Sequence, residues 1–220
     1  MIHKLPKSLF LGDLGDEAEA TKWIRKAAER GDAEAQYELS QLYYYGRDGI
    51  PQDRAESVKW LHKVAEQGHY SAIMELCSCY FCGGGVLENG AEAVNWLRRA
   101  VEFGHYAALE RLSDCYFRGK GVPKDEQEAM NLLRQAVEHG QGYALSELGM
   151  HHLYLRNDEE AVKCFHEAAK NGNDEAEYML GECYRHGWGV QQNDEEAEKW
   201  YREASAPGKY TPMRATINCC

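Results

Sequence analysis

The sequence predicts an all-α fold, a right-handed α-solenoid of about five stacked helix-turn-helix repeats. Three observations predict it: an internal repeat written five times, an apolar stripe of helical period in each copy, and glycine-rich turns at matching positions. One helix should precede the repeats, and a short polar segment should cap them. We expect a single domain 1–220, divided as 1–34, 35–71, 72–107, 108–143, 144–175, 176–208 and 209–220.

The first helix of each copy carries Ala, Leu and Tyr at positions i, i+4 and i+8. Such positions fall on one stripe of an α-helix, which has 3.6 residues per turn. His152 replaces the tyrosine in the fourth copy, and that copy lacks the glycine-rich turn, so its two helices should be joined more tightly. The stripe begins at Ala35, Ala72, Ala108, Ala144 and Ala176, with steps of 37, 36, 36 and 32 residues.

The turn and the second helix complete each repeat. Glycine can adopt a positive φ and so end a helix, and acidic residues suit the first turn of the helix that follows. Trp23, Trp60, Trp96 and Trp200 occupy one position of the second helix, where Leu132 and Cys164 stand in the other copies. The turn glycines are Gly46, Gly83, Gly119 and Gly187, and the second helices end near Gly68, Gly104, Gly140, Gly172 and Gly208.

The text A-x-x-x-L-x-x-x-Y-x-x-G-x-G-V, followed by A-x-x-W-h-x-x-A-x-x-x-G, resembles the Sel-one-like repeat, a branch of the tetratricopeptide-like α-solenoids. The resemblance covers nearly the whole chain. It implies an adaptor or scaffold role, often in bacteria, in signalling, secretion, host interaction or quality control. A stack of helix pairs also leaves an extended concave surface for a partner. We therefore expect a protein-interaction scaffold that binds another protein or peptide and is not an enzyme.

Composition narrows the partners and the compartment. The chain has 36 acidic and 25 basic residues, a formal charge of -11, so a phosphate backbone is repelled and nucleic acid is excluded as a partner. No segment reaches the ~18 consecutive apolar residues of a membrane span, and the N-terminus lacks a secretory leader. We expect a cytoplasmic monomer without a cofactor, whose eight cysteines are thiols.

The predicted binding surface lies on the first helices, at positions between the apolar stripes. Large aromatic side chains concentrate there, and interface energy concentrates in such anchors. The alternative is that several of these rings pack against the next repeat, because helix edges are shared in a stack. The predicted partner-binding residues are Tyr37, Gln41, Tyr44, Tyr45, Met74, Phe81, Asp114, Phe117, Arg118, Met150, Tyr154, Tyr178, Glu182 and Arg185.

Two further classes of function have weaker support in the sequence. Cys79, Cys115, His151 and Cys183 share one repeat position, but successive repeats lie ~10 Å apart and zinc needs ligands at ~2.0 to 2.3 Å. We expect no metal site, and we find no spacing that indicates a hydrolase. An inhibitor or immunity-type protein, using an acidic surface against a basic enzyme or toxin, remains an alternative to the scaffold.

Overall fold

Eleven α-helices make up the part of the chain that the structure, a computed structural model, describes, residues 14–205. The helices are α1 Leu14–Glu29, α2 Ala33–Tyr45, α3 Arg54–Ala65, α4 Tyr70–Cys82, α5 Gly90–Glu102, α6 Ala108–Arg118, α7 Glu126–Glu138, α8 Ala144–Tyr154, α9 Asp158–Lys170, α10 Asp174–His186 and α11 Asp194–Ala204. After α1, each first helix and the second helix that follows it lie in one of the five predicted repeats. No strand occurs within these residues, so the predicted all-α class is confirmed. The predicted cap, 209–220, lies outside the described residues.

Contacts along the chain group into two compact units. Unit 1 is Met1–Phe103, described from residue 14, and unit 2 is Gly104–Cys220, described to residue 205. Unit 1 contains α1 to α5, and unit 2 contains α6 to α11. That the whole chain forms one repeat domain stays a prediction.

Many helices begin and end at capping residues that can be recognised in the sequence. Several second helices begin at an Asp or Asn whose side chain accepts a hydrogen bond from the backbone three residues on, as Asp53 does from Glu56 N at 2.9 Å. The first helices of the repeats that keep the glycine turn end at a left-handed glycine, such as Gly83 with φ of +70°. Polar N-caps therefore mark the start of α3, α5, α7 and α11, and left-handed glycines mark the end of α2, α4, α6 and α10.

The Ala-Leu stripe forms the core of each repeat. Ala72, Leu76, Ala176 and Leu180 are completely buried, and the other stripe alanines and leucines are at most 7% exposed. The stripe tyrosines are half-buried, and His152 is buried in their place. Truncating a buried leucine to alanine typically costs ~2 to 5 kcal/mol, so the stripe positions dominate the stability of each helix pair.

The tryptophan position of the second helix is also a core position in most repeats. Trp60 and Trp96 are buried, and each indole lies under a cation of its own helix: Lys63 Nζ is 3.7 Å from the first ring centroid, and Arg99 Cζ is 4.4 Å from the second. Trp23 in α1 differs, because 55% of its surface is exposed. Trp60 and Trp96 therefore pack in the cores of their repeats, and a charged side chain covers one face of each ring.

The fourth repeat has the tighter connection that the sequence predicts. Three residues, 155–157, separate α8 from α9, whereas seven separate α6 from α7. No glycine is available there, and Arg156 takes the left-handed conformation with φ of +61°, which is uncommon for a residue with a side chain. The lost turn thus shortens the link between two helices that still pack as a pair.

Candidate protein-binding surface

The candidate surface consists of the first helices of the repeats, whose side chains off the Ala-Leu stripe reach solvent. We define the unit 1 face as the exposed side of α2 and α4, and the unit 2 face as the exposed side of α6, α8 and α10. Each face belongs to one compact unit and is described separately.

Glu75 of α4 organises the unit 1 face. Its carboxylate accepts a hydrogen bond from the Tyr37 hydroxyl and another from Gln41 Nε2, both at 2.5 Å and both from α2. Burial, and then the hydrogen bond to Glu75, raise the pKa of the Tyr37 phenol. The Tyr37 ring also contacts His69, with ring centroids 4.8 Å apart. Tyr37 and Gln41 thus lie on the predicted surface, but their polar groups already bind the next repeat.

A pocket opens beside this carboxylate. It has a volume of about 190 Å³ and is lined by Gln41, Tyr44, Tyr45, Leu61, Glu75, Ser78 and Cys79. Tyr44 and Tyr45 meet edge to face with ring centroids 4.9 Å apart, and Tyr45 is 53% exposed. The pocket combines aromatic walls with one carboxylate. Two predicted anchors therefore form a concave feature within unit 1.

Arginines of the same chain lie over these two rings. Arg54 Cζ is 5.3 Å from the Tyr44 ring centroid, and Arg47 Cζ is 4.6 Å from that of Tyr45. Met74 and Phe81, the other predicted residues of this face, are half-buried on α4. Part of the predicted surface is therefore used within unit 1, as the packing alternative anticipates.

Phe117 of α6 lies at the centre of the unit 2 face. Its ring meets His151 edge to face at 3.9 Å and Tyr154 at 4.9 Å between centroids, both on α8. Lys124 Nζ lies 5.5 Å from the Phe117 ring and 5.6 Å from the Tyr154 ring. Phe117 is half-buried and contacts the next repeat, whereas Tyr154 is 62% exposed. Of these two predicted anchors, Tyr154 has the freer ring.

Polar residues flank this aromatic cluster. Asp114 and Arg118, one turn apart on α6, form an exposed ion pair. Exposed pairs of this kind contribute little to stability, ~0 to 1 kcal/mol, and can exchange for a partner's charges. Met150 on α8 is exposed, and its flexible side chain suits an adaptable contact surface.

In the last described repeat, Tyr201 of α11 contacts the predicted surface residues of α10. The Tyr201 hydroxyl donates to Glu182 Oε1 at 2.6 Å, and its ring lies 5.4 Å from the Tyr178 ring. Arg185 Cζ is 5.3 Å from the Tyr201 ring centroid. A second-helix tyrosine thus joins three predicted surface residues of α10.

The repeated cysteine and histidine positions are buried packing positions. Cys79, Cys115, His151 and Cys183 lie on four different helices, and each is at most 8% exposed. Burial raises the pKa of the Cys115 thiol to about 11 and that of Cys183 to about 12, so both stay protonated and poorly nucleophilic at neutral pH. Among the described residues no three His, Cys, Asp or Glu side chains are close enough to hold a metal ion.

The redox expectation holds for most of the described cysteines but not for all. Cys77, Cys79, Cys115, Cys164 and Cys183 are free thiols. Cys82 is disulfide-bonded, so the prediction that all the cysteines are thiols is wrong at this position. Cys219 and Cys220 lie outside the described residues.

Four residues that shape the surface were not among those predicted: Glu75, Lys124, His151 and Tyr201. Glu75 carried a signal, since Glu38, Glu75 and Glu147 share one repeat position three residues after the stripe alanine. Lys124 belongs to a turn, and its position over two rings depends on the turn's path. Tyr201 belongs to the second helix, which the stripe pattern assigns to the core.

A family model for the Sel1 repeat matches residues 9–32, 33–69, 71–105, 107–141, 142–173 and 174–207. The chain belongs to the Sel1 repeat family. The resemblance seen in the sequence is thus confirmed, and the segment 9–32 adds a sixth match over the helix that precedes the five predicted repeats. Sel1 repeat proteins generally mediate protein-protein interactions as non-catalytic scaffolds.

Solved structures show the same Sel1 repeat fold. A protective antigen of uropathogenic Escherichia coli is similar with a TM-score of 0.71 and 31% identity, over 87% of this chain and 41% of that one. A Sel1 repeat protein of Oxalobacter formigenes gives 0.65 and 33%, over 88% and 79%. An immunity protein of Pseudomonas aeruginosa gives 0.51 and 18%, over 86% and 73%, a likeness of fold alone.

A curated rat protein also shares a short stretch with this chain. The DAP3-binding cell death enhancer 1 of Rattus norvegicus is 44% identical over 52 residues, 24% of this chain and 10% of that protein. The chain therefore spans a tenth of the length of this relative. No helix of residues 14–205 is long and apolar enough to cross a membrane.

Proposed function

We propose that this Sel1 repeat protein is a non-enzymatic adaptor that binds a segment of another protein on its first helices. The observation that carries the proposal is the set of exposed aromatic and apolar side chains there, Tyr45, Met150, Tyr154 and Tyr178, each at least 40% exposed. Exposed aromatic rings supply contact area at small entropic cost, which is typical of binding hot spots.

The predicted residues differ in the role that their contacts support. Tyr45, Met150 and Tyr154 have free surface and serve as anchors. Tyr37, Gln41 and Glu182 hold neighbouring helices in position, because their polar groups bond inside the chain. Asp114, Phe117, Arg118 and Arg185 contribute charge and shape around the anchors, and Tyr44, Met74, Phe81 and Tyr178 complete the two faces.

The chemistry of the thiols supports a non-enzymatic role. A cysteine nucleophile needs a thiolate, whereas burial raises the pKa of Cys79, Cys115 and Cys183. Burial also lowers the pKa of His151 and His152, which keeps both rings neutral and leaves them packed among other side chains. A monomer in the cytoplasm is part of the proposal: the five free thiols suit a reducing compartment, whereas the disulfide at Cys82 does not.

Site-specific photo-crosslinking tests the adaptor proposal. A photoreactive phenylalanine analogue in place of Tyr154 should capture a protein in the native cell, because that side chain lies at a free edge of the unit 2 face. The matched control carries the same analogue in place of Lys199, exposed on the second helix α11. Capture of the same protein at position 199 but not at position 154 would contradict binding on the first helices.

Salt dependence separates the adaptor from the immunity-type inhibitor. An inhibitor that uses the net charge of -11 against a basic enzyme or toxin should lose affinity steeply as salt rises. A segment held mainly by aromatic anchors should lose much less. Titrations of the captured partner at low and high ionic strength therefore distinguish the two functions.

A further inference from the structure

We propose that the unit 1 pocket beside Glu75 binds the cationic side chain of a lysine or arginine in the partner segment. The inference rests on the proposed function and names the chemistry of the partner at one point of contact. The pocket is defined by Gln41, Tyr44, Tyr45, Leu61, Glu75, Ser78 and Cys79.

The carboxylate of Glu75 has no cationic partner among the described residues. Its two hydrogen-bond donors, the Tyr37 hydroxyl and the Gln41 amide, are both neutral. Among the described residues no lysine, arginine or histidine lies within ion-pair distance of this carboxylate, although Glu34 on the same face has His69 at 3.6 Å. Neutral donors fix the carboxylate in one position without cancelling its charge. A fixed, partly desolvated anion favours a cation as its ligand.

The walls of the pocket are partly aromatic. Tyr44 and Tyr45 expose aromatic surface, and aromatic faces attract guanidinium and ammonium groups. Arg54 and Arg47 of the same chain lie over these rings, so a partner's cation would pack beside these two side chains or displace them. A volume of about 190 Å³ is well above the ~10 to 15 Å³ that one water needs, and leaves room for the end of an arginine or lysine side chain.

The first helices around the pocket carry acidic side chains. The first helices of unit 1, α2 and α4, contain Glu34, Glu38 and Glu75 and no lysine or arginine, and the two arginines over the pocket rings, Arg47 and Arg54, come from the turn and from α3. Desolvation, and then repulsion from Asp48 and Glu34, raise the pKa of Glu38, and that repulsion reflects the neighbouring carboxylates. The face therefore attracts a basic partner segment and repels an acidic one.

Arginine and citrulline peptides provide a direct test, because citrulline keeps the shape of arginine without its charge. The full chain is titrated with acetyl-Gly-Arg-Gly-amide and with its citrulline counterpart. Binding is followed by NMR at the Gln41 side-chain amide and the Ser78 backbone amide. We expect shifts at both groups with the arginine peptide, and about tenfold weaker binding of the citrulline peptide, equivalent to ~1.4 kcal/mol. Absence of shifts at the highest soluble concentration, or equal binding of both peptides, would overturn the proposal.

A pair of variants tests the carboxylate itself. Glu75→Gln keeps the size and the acceptor oxygen but removes the charge, and Glu147→Gln makes the same change at the matching repeat position of unit 2. Glu75→Gln should weaken arginine-peptide binding about tenfold, whereas Glu147→Gln should not change it. Equal effects of the two variants would overturn the pocket proposal. If both leave a captured partner bound while Tyr154→Ala, which lies outside the pocket, releases it, the pocket fails and the adaptor function stands.

Discussion

The ring of Phe165 fills the space that a side chain at Gly149 would need. A Cβ added to Gly149 would lie 2.6 Å from Phe165 Cε1, and the phenylalanine is completely buried. The same relationship recurs one repeat later, where a Cβ on Gly181 would lie 2.4 Å from Tyr201 Cε1. An aromatic residue on the second helix is thus matched by a glycine on the first helix of the same repeat.

Gly149→Ala should destabilise the protein despite the better helix propensity of alanine. Alanine gains ~1 kcal/mol in a helix interior, whereas overpacking a buried ring typically costs ~1 to 3 kcal/mol. We expect a net loss of about 1 kcal/mol in the free energy of unfolding, measured by chemical denaturation. The double variant Gly149→Ala with Phe165→Leu, which copies the leucine at the equivalent position Leu133, should recover most of that loss. A double variant less stable than either single one would contradict the pairing.

Gly85→Ala should cost more stability than Gly31→Ala, although both glycines have nearly the same positive φ, +93° and +94°. A side chain at either position bears the same backbone strain, ~1 to 2 kcal/mol. A Cβ at Gly85 would in addition lie 2.4 Å from the carbonyl oxygen of Arg54, whereas Gly31 has no atom within 4 Å. The difference between the two unfolding free energies isolates the contact between a turn and the preceding repeat. Equal losses would show that the close approach is unimportant.

Acidification from about pH 7.5 to pH 6 should lower the stability of the protein. Burial lowers the pKa of His62, His151, His152 and His166 below the ~6.5 of a free histidine. The unfolded chain therefore binds more protons in this range, and the free energy of unfolding falls as the pH falls. The carboxyl groups with raised pKa, such as Glu110, start from ~4.3 and act mainly at lower pH.

His62→Gln should make this pH dependence shallower. His62 Nε2 lies 2.8 Å from the Tyr80 hydroxyl, and its ring lies 5.5 Å from that of Trp96. Glu66 and Glu92 favour its protonation and Arg99 opposes it, but burial has the largest effect. Glutamine can keep the hydrogen bond and does not titrate. Denaturation curves of the variant and the native chain at several pH values check this, and an unchanged slope would exclude His62 as a contributor.

The repeat architecture could be predicted from the sequence because its signals are local and recur. Ala72, Leu76 and the turn at Gly83 each reappear in other copies, so spacing alone indicates which residues share a stripe. The match of Gly149 to Phe165 is also visible in the sequence. Glycine stands five residues after the stripe alanine in the two repeats in which an aromatic residue follows the tryptophan position. Interpreting that pattern required the geometry of the helix pair.

The exposure of the candidate surface could be predicted in outline, but its internal contacts could not. Tyr45 and Tyr154 were expected at exposed positions and are exposed. Tyr37 and Gln41 donate hydrogen bonds to Glu75, which is 38 and 34 residues away in the sequence. These contacts depend on how one repeat packs against the next. Phe117 packs against His151 for the same reason. Sequence spacing gives the face on which a residue lies, and the neighbouring repeat decides whether its side chain stays free.

The affinity of the captured partner for the double variant Tyr45→Ala with Tyr154→Ala tests the central claim most directly. Both rings are exposed, so their truncation removes contact area without opening the core, and Trp96→Ala serves as the control, with a loss of ~3 to 5 kcal/mol in stability. Calorimetric titration should show binding weakened by at least about fivefold, ~1 kcal/mol, with an unchanged unfolding transition. Full affinity in the double variant, together with its loss on charge reversal of the second helices, would contradict binding on the first helices.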